Sequence, residues 1–167
     1  MIGLNLCPFA GPVFGQKRIR YLVCRAVSES ELLDALAAEL EFLRMADPGV
    51  IETTLVIHPD VLGDFFDFNQ FLGEADALLR RVQLEGILQI ASFHPQYCFA
   101  GAAADDITNF SNRSPYPMLH LLRESSVAAA VSGPADADRI VNRNLETLRQ
   151  LGKKGWDALG IPTAGES

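Results

Sequence analysis

Cysteine is scarce in this chain: only Cys7, Cys24 and Cys98 occur in 167 residues, and no two form a CxxC pair. An odd, scattered set argues against a disulfide framework and fits a reducing compartment. No run of about 18 or more apolar residues occurs, so no ordinary membrane-spanning helix is expected. Positive charge is also in short supply, with 14 Lys and Arg against 21 Asp and Glu and a net charge of −7. Neither nucleic acid nor an anionic membrane is therefore an expected partner. Histidine is limited to His58, His94 and His120, none of them in an HExxH or HxH spacing. The opening MIGLNLCPFAGPVFG lacks the basic start of a secretory signal and is too short to be one. Internal repeats and linkers are missing. What remains is a single cytoplasmic domain over residues 1–167, long enough to bury a core without staples, with a homodimer as the default assembly.

The chain alternates strand-like and helix-like stretches. Asn5 to Ala10 can begin a short helix with Pro8 in its first position. Arg18 to Val27 is rich in β-branched and aromatic residues and reads as a first strand. Ser28 and Glu31 have capping-box spacing, and Leu32, Leu36, Leu40 and Leu43 continue as a helical stripe that ends at Asp47-Pro48-Gly49. Val50 to Ile57 is a second strand. Asp60 can cap the next helix, whose stripe runs Phe65, Phe68, Leu72, Ala75, Leu79 and Val82 before Glu85-Gly86. Ile87 to Ser92 is a third, apolar strand. Ser114 to Glu124 reads as a helix, Val127 to Val131 as a weak fourth strand, and Asp136 to Leu151 as a last helix stopped by Gly152. Residues 161–167 are expected to form a disordered tail. The alternation predicts an α/β fold, a mostly parallel sheet of about four strands covered by helices, with a ferredoxin-like α+β arrangement as the alternative.

Polar, titratable and aromatic groups are densest between Ile90 and Glu124. Two strands end alike, in HPD at 58–60 and HPQ at 94–96, so His58 and His94 would share the carboxyl edge of a parallel sheet, where ligands bind. Simple hydrogen bonds from each imidazole to a loop are the plainer alternative. In a helix from Ser114, Tyr116, His120, Arg123 and Glu124 would share one polar face that either lines a pocket or meets water. The N-terminus of that helix, with Asn112, Arg113 and Ser114, would suit a small carboxylate or phosphate. Otherwise Ser114 is an ordinary cap and Arg113 pairs with Asp105 or Asp106. The three histidines, with Asp60, Asp105, Asp106 or Cys7, could hold zinc or another divalent transition metal. They could equally act as general acid and base, with Asp105 or Asp106 orienting an imidazole. Cys7, ahead of Pro8, could be a thiolate at a helix cap or a small buried side chain. Cys24 reads as core, and Trp156 as packing for the last helix.

Three blocks carry a family resemblance: GLNLCPFA at 3–10, EGILQIASFHPQYCFAG at 85–101, and DD followed by NRSPYPMLHLLRE within 105–124. They resemble a bacterial and plant family catalogued as domain of unknown function 1415, and the likeness covers nearly the whole chain. Members generally carry residues ahead of the GLxLCPFA block, so either an upstream helix is missing here or the start site differs. The resemblance implies Cys7, His94, Tyr97, Asn112, Arg113, His120 and Arg123 as marked residues and brings no activity, substrate or cofactor.

The leading expectation is an enzyme performing hydrolysis or group transfer on a small anionic metabolite. Arg113 and Ser114 would hold the anion with help from Asn112, Tyr97, Tyr116 and Arg123, and His94 and His120 would serve as acid and base or as metal ligands. A non-catalytic binding module with Phe99 and Tyr116 as anchors is the second expectation. A thiol or redox protein centred on Cys7 is the third.

Overall fold

The structure is a computed structural model that describes residues 2–131 and 133–161. The tail expected at 161–167 thus lies outside the described residues, apart from Ile161. The elements follow in the order α1 (Ala10–Gly15), β1 (Ile19–Val23), α2 (Glu29–Met45), β2 (Thr53–Ile57), α3 (Phe65–Arg81) and β3 (Leu88–Phe93). A 3-10 helix (Ile107–Ser111), β4 (Met118–Arg123), α4 (Glu124–Ala130) and α5 (Pro134–Asp157) complete it.

Helix α2 starts where its local chemistry says it must, while α3 and α1 start later than expected. The Ser28 hydroxyl accepts from the Glu31 amide at 3.3 Å, and the Glu31 carboxylate accepts in turn from the Val27 amide at 2.9 Å. Two orphan donors at the start of α2 are thereby satisfied. The cap of α3 is Asp64 rather than Asp60: its carboxylate accepts from the Phe66 and Asp67 amides at 2.8 and 3.2 Å. Asp60 instead meets Arg25 at 3.2 Å on the surface. At the N-terminus, helix α1 begins at Ala10 with Phe9 at its cap, so Pro8 precedes it and Cys7 caps nothing.

The sheet has four strands in the order β1-β2-β4-β3, and it is mixed rather than mostly parallel. β1 and β2 run parallel, while β4 inserts antiparallel between β2 and β3. The segment read as a helix from Ser114 contains this strand. Its residues Met118-Leu119-His120-Leu121-Leu122-Arg123 carry no polar–apolar alternation, because both faces of a central strand are covered. Met, Leu and Arg are also good helix formers, and pairing with β2 and β3 overrides that preference. Val127–Val131, read as a strand, lies mostly in α4, where the run of alanines favours helix. The element order βαβαββ also differs from the βαββαβ of a ferredoxin-like fold.

Register divides the side chains cleanly between two faces. Leu119 and Leu121 of β4 lie beside Val56 of β2 and Ile90 of β3, and they pack against Leu32, Leu36, Leu40 and Leu43 of α2 and Phe68, Phe71 and Ala75 of α3. Both crossover helices cover this one face, since successive crossovers move across the sheet in the same direction with the same hand. The opposite face presents Ile19 and Tyr21, Thr53 and Leu55, Met118 and His120, and Phe93.

A smaller layer covers part of that second face. Leu6, Phe110, Leu148 and Trp156 form a separate apolar cluster that joins the N-terminal segment, the 3-10 helix and α5. Asn144 of α5 donates to the Leu6 carbonyl at 2.6 Å, and Arg143 to that of Asn5 at 2.8 Å. Gly152, expected to stop the last helix, kinks it instead at φ 60°, and α5 resumes to Asp157. That continuation brings Trp156 edge-on to Phe110, with ring centroids 5.0 Å apart.

Candidate functional site

Between the uncovered sheet face and this smaller layer lies a cavity of about 340 Å3. Strand alternation supplies its floor: Tyr21, Thr53, Leu55, Phe93, Met118 and His120 are the second-face residues of four neighbouring strands. The N-terminal segment supplies one wall through Cys7, Phe9 and Val13. The other wall is Phe110, Arg113, Ser114 and Trp156. An apolar concave site with a few convergent polar groups is the usual form of a small-molecule pocket.

His120 is the titratable group on the floor. The Thr53 hydroxyl donates to the Leu121 carbonyl at 2.5 Å, so Thr53 Oγ1 is left to accept from His120 Nε2 at 2.7 Å. That relay assigns the proton to Nε2 and leaves a lone pair on Nδ1. Nδ1 has no partner among the described residues and keeps access to the cavity. Burial among apolar side chains pushes the His120 pKa down to about 4. At neutral pH the group is therefore an uncharged hydrogen-bond acceptor of fixed orientation.

Arg113 borders the cavity but not as the clamp at a helix N-terminus that its sequence context proposes, because a strand and not a helix follows it. Its Nε donates to the Tyr97 carbonyl at 3.3 Å and its Nη2 to the Ala104 carbonyl at 2.5 Å. The guanidinium lies 4.2 Å above the Phe110 ring. No carboxylate among the described residues pairs with it, and desolvation lowers its pKa. Asp105 is exposed, and Asp106 caps the 3-10 helix through the Thr108 amide and hydroxyl at 2.8 Å each. Neither acid orients an imidazole. The Ser114 hydroxyl is committed to the Tyr116 carbonyl at 2.6 Å.

His58 and His94 are fully buried on the other face of the sheet, against α3. Both pack on Phe68, with ring centroids 5.9 and 5.0 Å from it. His94 spends both nitrogens on the main chain: Nε2 donates to the Leu62 carbonyl at 3.2 Å, and Nδ1 accepts from the Gln96 amide at 3.0 Å. His58 Nδ1 donates to the Val61 carbonyl at 3.1 Å, while its buried Nε2 has no partner. Desolvation lowers both pKa values. The three imidazoles do not converge, because the sheet stands between His120 and the other two. Among the described residues no group of three or more His, Cys, Asp and Glu could hold a metal ion.

The other expected site residues turn out to build the scaffold. Arg123 faces the helices and donates through Nη2 to the Leu43, Ala46 and Ile51 carbonyls, closing the C-terminal end of α2. Asn112 Nδ2 donates to the Ser92 carbonyl at 3.1 Å, and its own carbonyl accepts from the His94 amide. Tyr97 packs between Phe65, whose ring is tilted to it, and Phe99, which it meets edge-on, and Tyr116 is exposed on the turn before β4. Of the expected residues, Cys7, Arg113, Ser114 and His120 meet at the cavity. Sequence reading missed Tyr21, Thr53, Leu55, Phe93, Met118 and Trp156. The two-residue spacings Ile19/Tyr21 and Thr53/Leu55 were the available signal, but without β4 the floor between them had no centre.

Fold and cavity together define a mixed α/β protein with a small-molecule-sized pocket on one sheet face. The chain belongs to the family described as "Protein of unknown function (DUF1415)", which it matches over residues 1–158. No curated protein and no solved structure matches it. Among the described residues no helix is long and apolar enough to cross a membrane.

Proposed function

We propose that the protein binds a small, largely apolar molecule in the sheet-face cavity, with His120 Nδ1 accepting a hydrogen bond from it. The observation that carries this reading is the His120 imidazole, whose Nε2 is committed to Thr53 while Nδ1 opens on apolar walls. An acceptor that opens on a concave space with mostly apolar walls meets less competition from water than one on an open surface, so a ligand hydroxyl or amine is worth more here than in water. Hydrolysis or group transfer on that ligand, the broader expectation, leaves His120 as the only imidazole at the cavity. With a pKa of about 4 it is a weak base there.

The test is a titration with 4-propylphenol and with propylbenzene, which lacks the donor, followed by the emission of Trp156. We expect His120→Phe to weaken 4-propylphenol binding about ten-fold and to leave propylbenzene unchanged. Equal affinity of the variant and the native protein for 4-propylphenol would overturn the role of His120.

One observation favours a second reading. Cys7 lines the same cavity as His120, which supports thiol chemistry at that position. Iodoacetamide at neutral pH then modifies Cys7 faster than a free thiol, and 4-propylphenol slows the reaction. A rate no faster than that of a free thiol ends the thiol reading.

A further inference from the structure

The cavity does not end at its own walls. A recess of about 130 Å3 adjoins it and shares Phe110, Arg113, Ser114 and Trp156 with it, adding Pro95 and Lys153. Two cations thus stand at one end of an apolar chamber. Among the described residues no Asp or Glu lines either space.

The two cations are held differently. Arg113 is partly buried, and its partners among the described residues are two backbone carbonyls, the face of Phe110 and the nearby Cys98. A guanidinium partly withdrawn from water and not neutralised by a carboxylate among the described residues is an incomplete arrangement, because carbonyl dipoles offset its charge only in part. Lys153 lies 5.9 Å from the Phe110 ring and pairs with Asp157 at 2.5 Å through an exposed i,i+4 contact. Such surface pairs are weak, so Lys153 can turn toward an incoming anion at small cost. One negative charge would satisfy Arg113. A second would have to compete with Asp157 for Lys153.

Volume limits the rest of the ligand. At roughly 30 Å3 per water-sized group, the main cavity and its recess accept a molecule of up to about fifteen non-hydrogen atoms. The walls ask for an apolar or aromatic body, and His120 asks for a donor.

We infer that the ligand is an amphipathic monocarboxylate carrying a hydroxyl or amino donor: donor on His120 Nδ1, apolar body on the sheet face, carboxylate in the recess between Arg113 and Lys153. This inference rests on the reading of the cavity as a binding pocket. It fits a chain of net charge −7 in which the described residues lining these two spaces include no acidic side chain. It also returns the anion expected from Arg113 to the same residue by a different route, through an unneutralised guanidinium rather than a helix N-terminus.

The experiment is a set of titrations of the full chain at neutral pH, read from the emission of Trp156, the single tryptophan, which walls both spaces. The probes are 3-(4-hydroxyphenyl)propionate, 3-phenylpropionate without the hydroxyl, and 4-propylphenol without the carboxylate. The hydroxy acid is expected to bind about ten-fold more tightly than 4-propylphenol, a difference of the size that one charge-assisted contact supplies, and to lose that advantage as salt rises. Arg113→Gln should abolish the preference. Because Arg113 also ties down its loop, Lys153→Gln serves as the second variant: its affinity for the hydroxy acid should fall about three-fold, with 4-propylphenol unaffected. Equal affinity of the native protein for the hydroxy acid and 4-propylphenol would overturn the carboxylate assignment while leaving the pocket standing. So would unchanged hydroxy-acid binding in both variants. Failure of all three probes to perturb Trp156 would remove the pocket reading itself.

Discussion

Replacing Arg123 by methionine is expected to destabilise the protein by about 3 kcal/mol, and to lower its thermal midpoint by about 10 °C for a chain of this size. Arg123 is only 9% exposed, yet no carboxylate among the described residues faces it. Its Nη2 instead gathers the Leu43, Ala46 and Ile51 carbonyls at 2.7, 2.8 and 3.3 Å. The first two belong to the last turn and cap of α2, where free carbonyls accumulate and the helix dipole is negative. Methionine fills a similar volume but donates nothing, so these buried acceptors lose their donor at once. Urea unfolding of the two proteins measures the difference, and a loss below about 0.5 kcal/mol would refute the capping role. Lysine at the same position should recover part of the loss, since one ammonium can reach fewer carbonyls than the planar fork. Binding of 3-(4-hydroxyphenyl)propionate by the folded variant should stay unchanged, because Arg123 faces the helices and the cavity lies across the sheet.

Acid is expected to loosen the protein well before its carboxylates protonate. His58, His94 and His120 are all held with pKa values below the ordinary imidazole value, desolvation being the largest cause for each. Between its folded and unfolded pKa values a histidine of this kind binds more protons when unfolded, so stability rises with pH across that window. The contribution is complete above the unfolded value of about 6.5 and is lost as the pH falls from there toward the folded one. For His120, with a folded pKa of about 4, linkage gives a loss of about 2 kcal/mol by about pH 5 and about 3 kcal/mol when complete. His58 and His94 add losses of the same sign. His58 has little means of relief, because its orphan Nε2 is buried where a new proton would find no acceptor. Unfolding free energies should therefore be flat above about pH 7 and fall steeply toward pH 5, with His120→Gln showing a shallower fall. A native profile that stays level from neutrality to about pH 5 would contradict the burial of these rings.

Much of the helix-covered half of the molecule was legible in the chain. Ser28 and Glu31 announce α2, and the leucines spaced along it are the ones that face the sheet. Amphipathic spacing and local caps act within one or two turns, so a sequence carries them without knowing its neighbours. Two strands ending in His-Pro, one β-branched and one apolar, were likewise visible. Their histidines sit at the carboxyl edge as read, but covered by the Asp60–Asp64 loop and by α3 rather than open to a ligand.

What the chain determined by itself is therefore local: the beginning of α2, the end of β2 at Ile57, the apolar stripes of α2 and α3, and the density of polar groups between Ile90 and Glu124. Only the tertiary structure decided what those polar groups do. Met118 to Arg123 became a central strand by pairing with residues 25 to 67 positions away, from Phe93 with Met118 to Thr54 with Leu121. With that strand in place, a period of two sends His120 to one face and Arg123 to the other, where a helical period would have put them on one stripe. His120 joined the cavity, Arg123 closed α2, and the site formed from residues that share a face only after the sheet has assembled.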